Sequence, residues 1–194
     1  MKYSDSIRIG CVILAAGNAT RFGENKLLTE IDGKPMIEHA FDAIPTEKLC
    51  AVVIVTQYEG IIKCAEHSGF QCVVNDRPEL GLSRSVMLGT TALKDQCDGI
   101  LYMVADQPRL KRESVSRMLD VFRKNPDSIV SMSSGGKRGN PCIFPKTYFD
   151  ELCSLSDDKG GRAVIECHEN DLILFEVSDA ELKDIDTPDD IPIE

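Results

Sequence analysis

Apolar residues along the chain gather into short unbroken runs separated by longer mixed stretches. The runs are residues 7–14 (IRIGCVIL), 51–55 (AVVIV), 71–74 (QCVV), 100–104 (ILYMV), 128–132 (SIVSM), 142–144 (CIF) and 172–177 (LILFEV). Continuity rather than alternation is the pattern of strands covered on both faces. Between the runs, Met36, Ile37, Ala40, Phe41 and Ile44 make one helical stripe, and Pro35 before them suits a first helical position. Val115, Met118, Leu119 and Phe122 make a second stripe behind the polar start Lys111–Ser114. Residues 83–94 and 160–168 are weaker helices, the first interrupted by Gly89. Strands alternating with helices predict an α/β fold, a mostly parallel sheet with helices on both faces. Residues 133–141 (SSGGKRGNP) read as a loop that connects the parallel sheet to an antiparallel edge element. No repeat, low-complexity tract or linker divides the chain, so residues 1–194 are expected to form one domain.

Composition narrows the function classes. Of 194 residues, 42% are hydrophobic and 28% charged, which excludes wholesale disorder. The net charge of -10 argues against nonspecific nucleic-acid binding and against an anionic membrane surface. The longest apolar run, Gly10 to Gly17, is far shorter than the roughly 20 residues that span a bilayer. The start MKYSDSIRIG carries an acid and no long apolar core, so no signal peptide is expected. None of the eight cysteines stands two or four residues from another, so no zinc or redox motif is present. Reduced thiols and a cytoplasmic protein are expected.

The segment LAAGNATRFGENKLL, residues 14–28, follows the first strand directly. Ala15, Ala16 and Gly17 leave the backbone bare, and a turn of successive N–H groups there makes a concavity for an anion. Arg21 and Lys26 add two cations. The spacing is neither a Walker A loop nor G-x-G-x-x-G. By the residues alone it is either a phosphate cradle or a strand-to-helix turn with two solvated cations. Asp106 closes the apolar strand 100–104, where an open α/β sheet collects its ligands, and it either holds a metal ion or caps a helix. Asp184 and Asp186 alternate in LKDIDTPDD and share a side in extended chain. Ser83 or Ser85 could cap the helix after residue 82, leaving N–H groups for a phosphate. Asn75, Lys137, Arg138 and Arg162 have bland readings as turn or surface residues. His39, His67 and His168 read as surface or packing residues.

Taken in order, LAAG-x3-RFG-x2-K, GKPMI (33–37), the Asp106-x-Pro turn and D-I-D-T-P (184–188) resemble the nucleotidyltransferases of the three-layer, Rossmann-like, glycosyltransferase-A-type fold. They are most similar to the molybdopterin nucleotidyltransferase family, across about residues 8–190. The resemblance implies a transferase whose loop, Leu14, Ala15, Ala16, Gly17, Arg21, Phe22, Gly23 and Lys26, wraps a triphosphate. It implies Arg21, Lys26 and Asp106 as the catalytic set, and Asp106 with Asp186 as Mg²⁺ ligands, Asp184 being the second choice. Asn75, Gly81, Ser83 and Ser85 would hold the nucleotide. Arg138 and Asn140 would face the pterin, with Asn140 where His is common, and Arg162 would touch the acceptor.

The implied reaction is attack of the terminal phosphate of molybdopterin on the α-phosphorus of an NTP, with loss of pyrophosphate. The family's GTP users tend to carry L-A-G-G at this loop and its CTP users A-A-G, so Ala16 points to CTP. The expected partners are CTP, the molybdenum cofactor and a recipient molybdenum hydroxylase, with neither nucleic acid nor membrane. An acidic protein that binds two anions is expected to cluster Arg21, Lys26, Lys137 and Arg138. The competing readings are the same fold with GTP or another acceptor, and a noncatalytic nucleotide or cofactor carrier. A dinucleotide-binding oxidoreductase is disfavoured by the missing glycine motif.

Overall fold

The computed structural model describes residues 7–17 and 25–190. Strand β1 (Ile9–Ala15) is followed by a small antiparallel hairpin, β2 (Glu30–Ile31) and β3 (Lys34–Pro35). Strands β4 (Ala51–Thr56), β5 (Gln71–Val74), β6 (Gly99–Val104), β7 (Ile129–Ser134), β8 (Lys137–Pro145) and β9 (Leu172–Glu176) join β1 in a seven-stranded sheet. Its order is β5-β4-β1-β6-β8-β7-β9. β1 is parallel to β4 and β6, β4 to β5 and β7 to β9, while β8 is antiparallel to both β6 and β7.

Helices cover both faces. Cys11, Ile13 and Ala15 of β1 join the core under α1 (Met36–Asp42), α2 (Glu59–His67) and α4 (Arg112–Lys124). Val12 joins the opposite core, under α3 (Leu82–Leu93), α5 (Phe149–Cys153) and α6 (Gly161–Cys167). Burial on both sides is why β1 reads as an unbroken apolar run. Each fully buried side chain such as Ile13 or Phe122 contributes about 1.5–3 kcal/mol of apolar transfer.

Gly89 marks the close approach of α3 to β1. A Cβ there would stand 2.5 Å from Cγ1 of Val12, a stiff β-branched side chain. Gly89→Ala therefore loses more to overpacking, about 1–3 kcal/mol, than the roughly 1 kcal/mol that alanine gains in helix propensity. The expected result in denaturant unfolding is a lower midpoint with an unchanged slope. A raised midpoint would contradict the tight contact.

Three expectations are corrected. The segment 133–141 is not a loop, because β7 and β8 cover all of it except Gly135 and Gly136, which turn the hairpin at φ +56° and +76°. Glu176 accepts hydrogen bonds from both of their N–H groups, at 3.1 and 2.9 Å, and so fastens the turn to β9. The antiparallel strand is also not at an edge, since β8 lies between β6 and β7. Pro35 stands one residue before α1, in extended backbone, and pairs with Glu30 in the small hairpin.

The chain runs from β1 outward to β4 and β5, then returns to β6 on the other side of β1. That reversal opens a crevice at the carboxyl ends of β1 and β6, where register pairs Leu14 with Val104.

Candidate active site

The crevice is a cleft of about 460 Å³ lined by Leu14, Ala15, Ala16, Gly17, Lys26, Asn75, Gly81, Ser85 and Asp106, with Pro78, Leu82 and Asp158 at its sides. Three side chains from the end of β4 shape its floor. Thr56 donates to the carbonyl of Ala15 (2.9 Å), Gln57 to that of Ala16 (2.8 Å) and the Tyr58 hydroxyl to that of Gly17 (3.0 Å). A trans peptide sets each N–H opposite the preceding carbonyl, so the N–H groups of Ala16 and Gly17 point away from β4. Among the described residues, apart from its chain neighbours, none comes within 4 Å of where a Cβ on Gly17 would stand. Arg21, Phe22 and Gly23 lie outside the described residues.

Lys26 begins a short 3-10 turn, Lys26–Leu28, that the Asn25 side chain caps by accepting from the N–H of Leu27 at 3.1 Å. Its ammonium donates to Asp106 Oδ2 (2.8 Å), to the carbonyl of Ile185 (3.1 Å) and to Asp186 Oδ1 (3.3 Å). Burial opposes the charge on Lys26, but the hydrogen bond and charge of Asp106, then those of Asp186, outweigh it and hold the pKa above the usual lysine value. Lys26 is a cation throughout the neutral range.

The acidic segment after η-turn 179–181 comes back to this point through two links. Ile185 N–H donates to the carbonyl of Asp106 at 2.9 Å. Gln107, 3% exposed, donates to the carbonyl of Leu182 (3.1 Å) and to Asp184 Oδ1 (2.9 Å). Desolvation, and next the charge of Asp106, push the Asp184 carboxyl up. Asp190 serves the turn itself, accepting from Asp186 N–H, Thr187 N–H and the Thr187 hydroxyl, and the hydroxyl's bond leads in holding its carboxyl below the usual range. Three of the four acids of residues 182–190 thus divide by role, with Asp186 facing Lys26, Asp184 facing Gln107 and Asp190 closing the turn.

Three oxygens, from Asp106, Asp186 and the carbonyl of Ile185, therefore converge on one positive point now held by the Lys26 ammonium. Hard oxygen donors with two carboxylates suit Mg²⁺, which completes its shell with phosphate oxygens and water. Among the described residues no group of three or more His, Cys, Asp and Glu is placed to hold a metal ion by itself. The site accordingly fits a cation brought by a nucleotide rather than a closed protein cage.

The wall beside the end of β4 is set by Asn75 and Ser85, buried and joined at 3.0 Å, with the Asn75 N–H donating to the Thr56 carbonyl at 2.7 Å. Gly81 (φ +79°) is pressed on by residues 157–158, and a Cβ there would stand 2.5 Å from Asp158 Oδ1. Neither serine caps α3, which begins after Gly81 without a side-chain cap. Ser83 instead donates to the carbonyl of Leu80 (3.3 Å) and opens onto a neighbouring hollow with Arg84 and Asp157.

Lys137, Arg138, Asn140 and Arg162 line a second cavity of about 580 Å³, with Ser131, Cys142 and Ile165. The Asn140–Pro141 peptide is cis. Nη1 of Arg138 is buried without a partner, and its Nη2 lies 3.7 Å from Glu166, which also takes the Arg162 Nε at 2.7 Å. The expected single cluster of cations is corrected on this point: Lys26 belongs to the first cleft, and Lys137 and Arg138 to the second. Competing carboxylates hold Lys26 where it is. Residues 182–186 run between the two cavities, because Leu182 packs on Gly139 while Asp186 reaches Lys26. The rings of the three histidines bond to Ile31, Lys63 and Glu151, and none of the three lines either cavity.

Thr56, Gln57, Tyr58 and Gln107 are functional candidates that the sequence reading passed over. The first three were accessible to the same rule that found Asp106, since they stand at the carboxyl end of a strand beside β1.

At the switch point of this sheet the structure brings together the backbone of Ala16 and Gly17, a lysine and two carboxylates. The chain belongs to the family of MobA-like NTP transferase domains, whose model matches residues 11–172. It is 32% identical over 140 residues to the molybdenum cofactor guanylyltransferase of Shewanella piezotolerans, covering 72% of this chain and 66% of that protein. It is 26% identical over 198 residues to the purine catabolism protein PucB of Bacillus subtilis, covering 92% of each. Of one longer relative it spans only 44%. The crystal structure of Rv0371c from Mycobacterium tuberculosis superimposes with a TM-score of 0.80 at 24% identity, over 94% of this chain and 95% of that one, and shares the fold. Among the described residues no helix is long and apolar enough to cross a membrane.

Proposed function

We propose that the chain transfers CMP from CTP to the terminal phosphate of molybdopterin, releasing pyrophosphate and forming molybdopterin cytosine dinucleotide. The observation that carries nucleotidyl transfer is the convergence of Lys26, Asp106 and Asp186 at the open end of the Leu14–Gly17 loop. The triphosphate lies along that loop, with the Ala16 and Gly17 N–H groups donating to its oxygens. Asp106 and Asp186 would hold a Mg²⁺ ion, whose chemistry when bound would be to neutralise charge on the phosphates. Lys26, the cation between these carboxylates, would offer its ammonium to the phosphates. The attacking phosphate is already ionised, so the chain supplies position and charge rather than a general base. The second cavity, with Arg138 and Asn140, takes the pterin end of the acceptor, and Arg162 stands at its rim. Residues 1–194 act as one transferase domain in this reading, in the cytoplasm, and hand the product to a molybdenum hydroxylase.

The choice of base rests on Ala16. Its carbonyl is fixed by Gln57, so its methyl has no freedom to swing out of the cleft wall. A methyl beside the base disfavours a purine by roughly 1–3 kcal/mol. GTP is the second reading, favoured by the guanylyltransferase name of a 32%-identical relative. The test is one reaction with Mg²⁺, molybdenum cofactor and the four NTPs in equal amounts, with products identified by mass spectrometry. A cytidine adduct is expected, whereas a guanosine adduct would refute the base assignment. Ala16→Gly is expected to shift the CTP-to-GTP ratio of kcat/KM toward GTP by roughly tenfold or more. An unchanged ratio would remove Ala16 from base selection.

A further inference from the structure

On the edge of the sheet opposite the cleft, two thiols meet. Cys50 Sγ lies 3.2 Å from Cys97 Sγ, across 47 residues of chain. Cys50 precedes β4 and its N–H donates to the carbonyl of Ile9. Cys97 precedes β6, where the N–H groups of Asp98 and Gly99 both donate to the carbonyl of Arg8. The pair therefore brackets the start of β1 from its two neighbouring strands. Cys97 is buried, and its sulfur fills the space that a side chain at Gly10 would need.

Cys50 is exposed and borders a hollow of about 700 Å³ whose described lining presents Arg8, Lys48, Arg123 and Lys124 beside Glu47 and Asp120, with Asp120 pairing Lys48 and Arg123. Such a hollow admits a small reagent and favours an anionic one. We propose that Cys50 and Cys97 are a modification site, closed to an intramolecular disulfide by exchange with a small anionic disulfide of the glutathione type. The Cys50 thiolate attacks one sulfur of the reagent, giving a mixed disulfide and expelling one reagent thiol. Cys97 sulfur then attacks Cys50 sulfur, forming the protein disulfide and expelling the second reagent thiol. The protein gives up two electrons and two protons, and the reagent takes them as two thiols. The sulfurs close from 3.2 Å to a bond of about 2.05 Å. Burial pushes the Cys97 thiol up to about 12, which makes Cys50 the first to react.

The closed form links the segments that enter β4 and β6, on either side of β1, and leaves the cleft at the carboxyl ends of the strands untouched. The test treats the full chain with oxidised glutathione, then reads intact mass, a peptide map and Tm. Expected are a loss of two hydrogens, a Cys50–Cys97 cross-link, and a Tm raised by roughly 5 °C or more, all reversed by a dithiol reductant. Cys50→Ala, a change at the exposed partner, is expected to show neither cross-link nor shift. Cys97→Ser is expected to stop at a glutathione adduct on Cys50. A wild-type chain that stops at that adduct, pairs other cysteines or remains reduced would overturn the proposal.

Discussion

Asp106→Asn is expected to lower turnover by about 10²–10³-fold while moving Tm by no more than about 4 °C. Among the described residues the carboxylate is the nearest acceptor of the Lys26 ammonium, at 2.8 Å, and one of the two acids that converge there. Asparagine keeps the shape and the backbone bond to Ile185, since that bond uses the Asp106 carbonyl. Only the charge is removed, so folding is spared and the ability to gather a cation with Asp186 is lost. The pair is partly open to solvent, and its loss costs about 1 kcal/mol of stability or less. Turnover retained in the presence of Mg²⁺ would take Asp106 out of the site. A Tm that falls by ten degrees or more would make its role structural.

Lys26→Met is expected to act nearly as strongly, lowering kcat/KM for the nucleotide by about 10²-fold. It carries a second signature in pH. Without the ammonium, Asp106, Asp184 and Asp186 face one another with no cation between them. Desolvation and the Asp106 charge already hold the Asp184 carboxyl above its unfolded value, with Lys26 working the other way. Removing Lys26 pushes it higher still. A raised carboxyl is a penalty on the folded state that is absent below the unfolded value and accumulates as pH rises through the folded one. The variant's stability deficit is therefore larger at about pH 7 than at about pH 4. In the wild type, the raised lysine contributes stability that is full below the unfolded lysine value and is lost only as pH rises through the folded one. Urea melts at the two pH values read this difference directly. A deficit that is equal at both, or larger in acid, would show that Lys26 does not neutralise the cluster.

Much of the sheet was legible because its strands write themselves as short apolar runs, and every run expected as a strand falls on one. Strand order was not legible. The insertion of β8 between β6 and β7 depends on pairing across the whole sheet, which no local pattern records. The first half of β8 was hidden for another reason. Lys137, Arg138 and Asn140 are polar because they line a cavity, and polarity next to two glycines imitates a loop. Helix α2 was missed although Ile61 and Ala65 carry an i, i+4 stripe, since the remaining residues around them are mostly polar.

The site shows the same division. Leu14–Gly17 and Asp106 were legible because strand ends gather ligands, and Lys26 because a cation follows a bare loop. That Asp186 would meet Lys26 needed the return of residues 182–186, across 160 residues of sequence. Gln107 had no signal of its own, because its work is to hold that returning segment. The cap expected from Ser83 or Ser85 is absent, because α3 begins after Gly81 without a side-chain cap.

The most direct test mixes the protein with Mg²⁺, CTP and molybdenum cofactor and counts pyrophosphate against cytidylated cofactor. One pyrophosphate per cytosine dinucleotide formed, lost together in Asp106→Asn, is the predicted result. CTP bound by the wild-type protein with no pyrophosphate released would contradict the account and leave a carrier of nucleotide in place of a transferase.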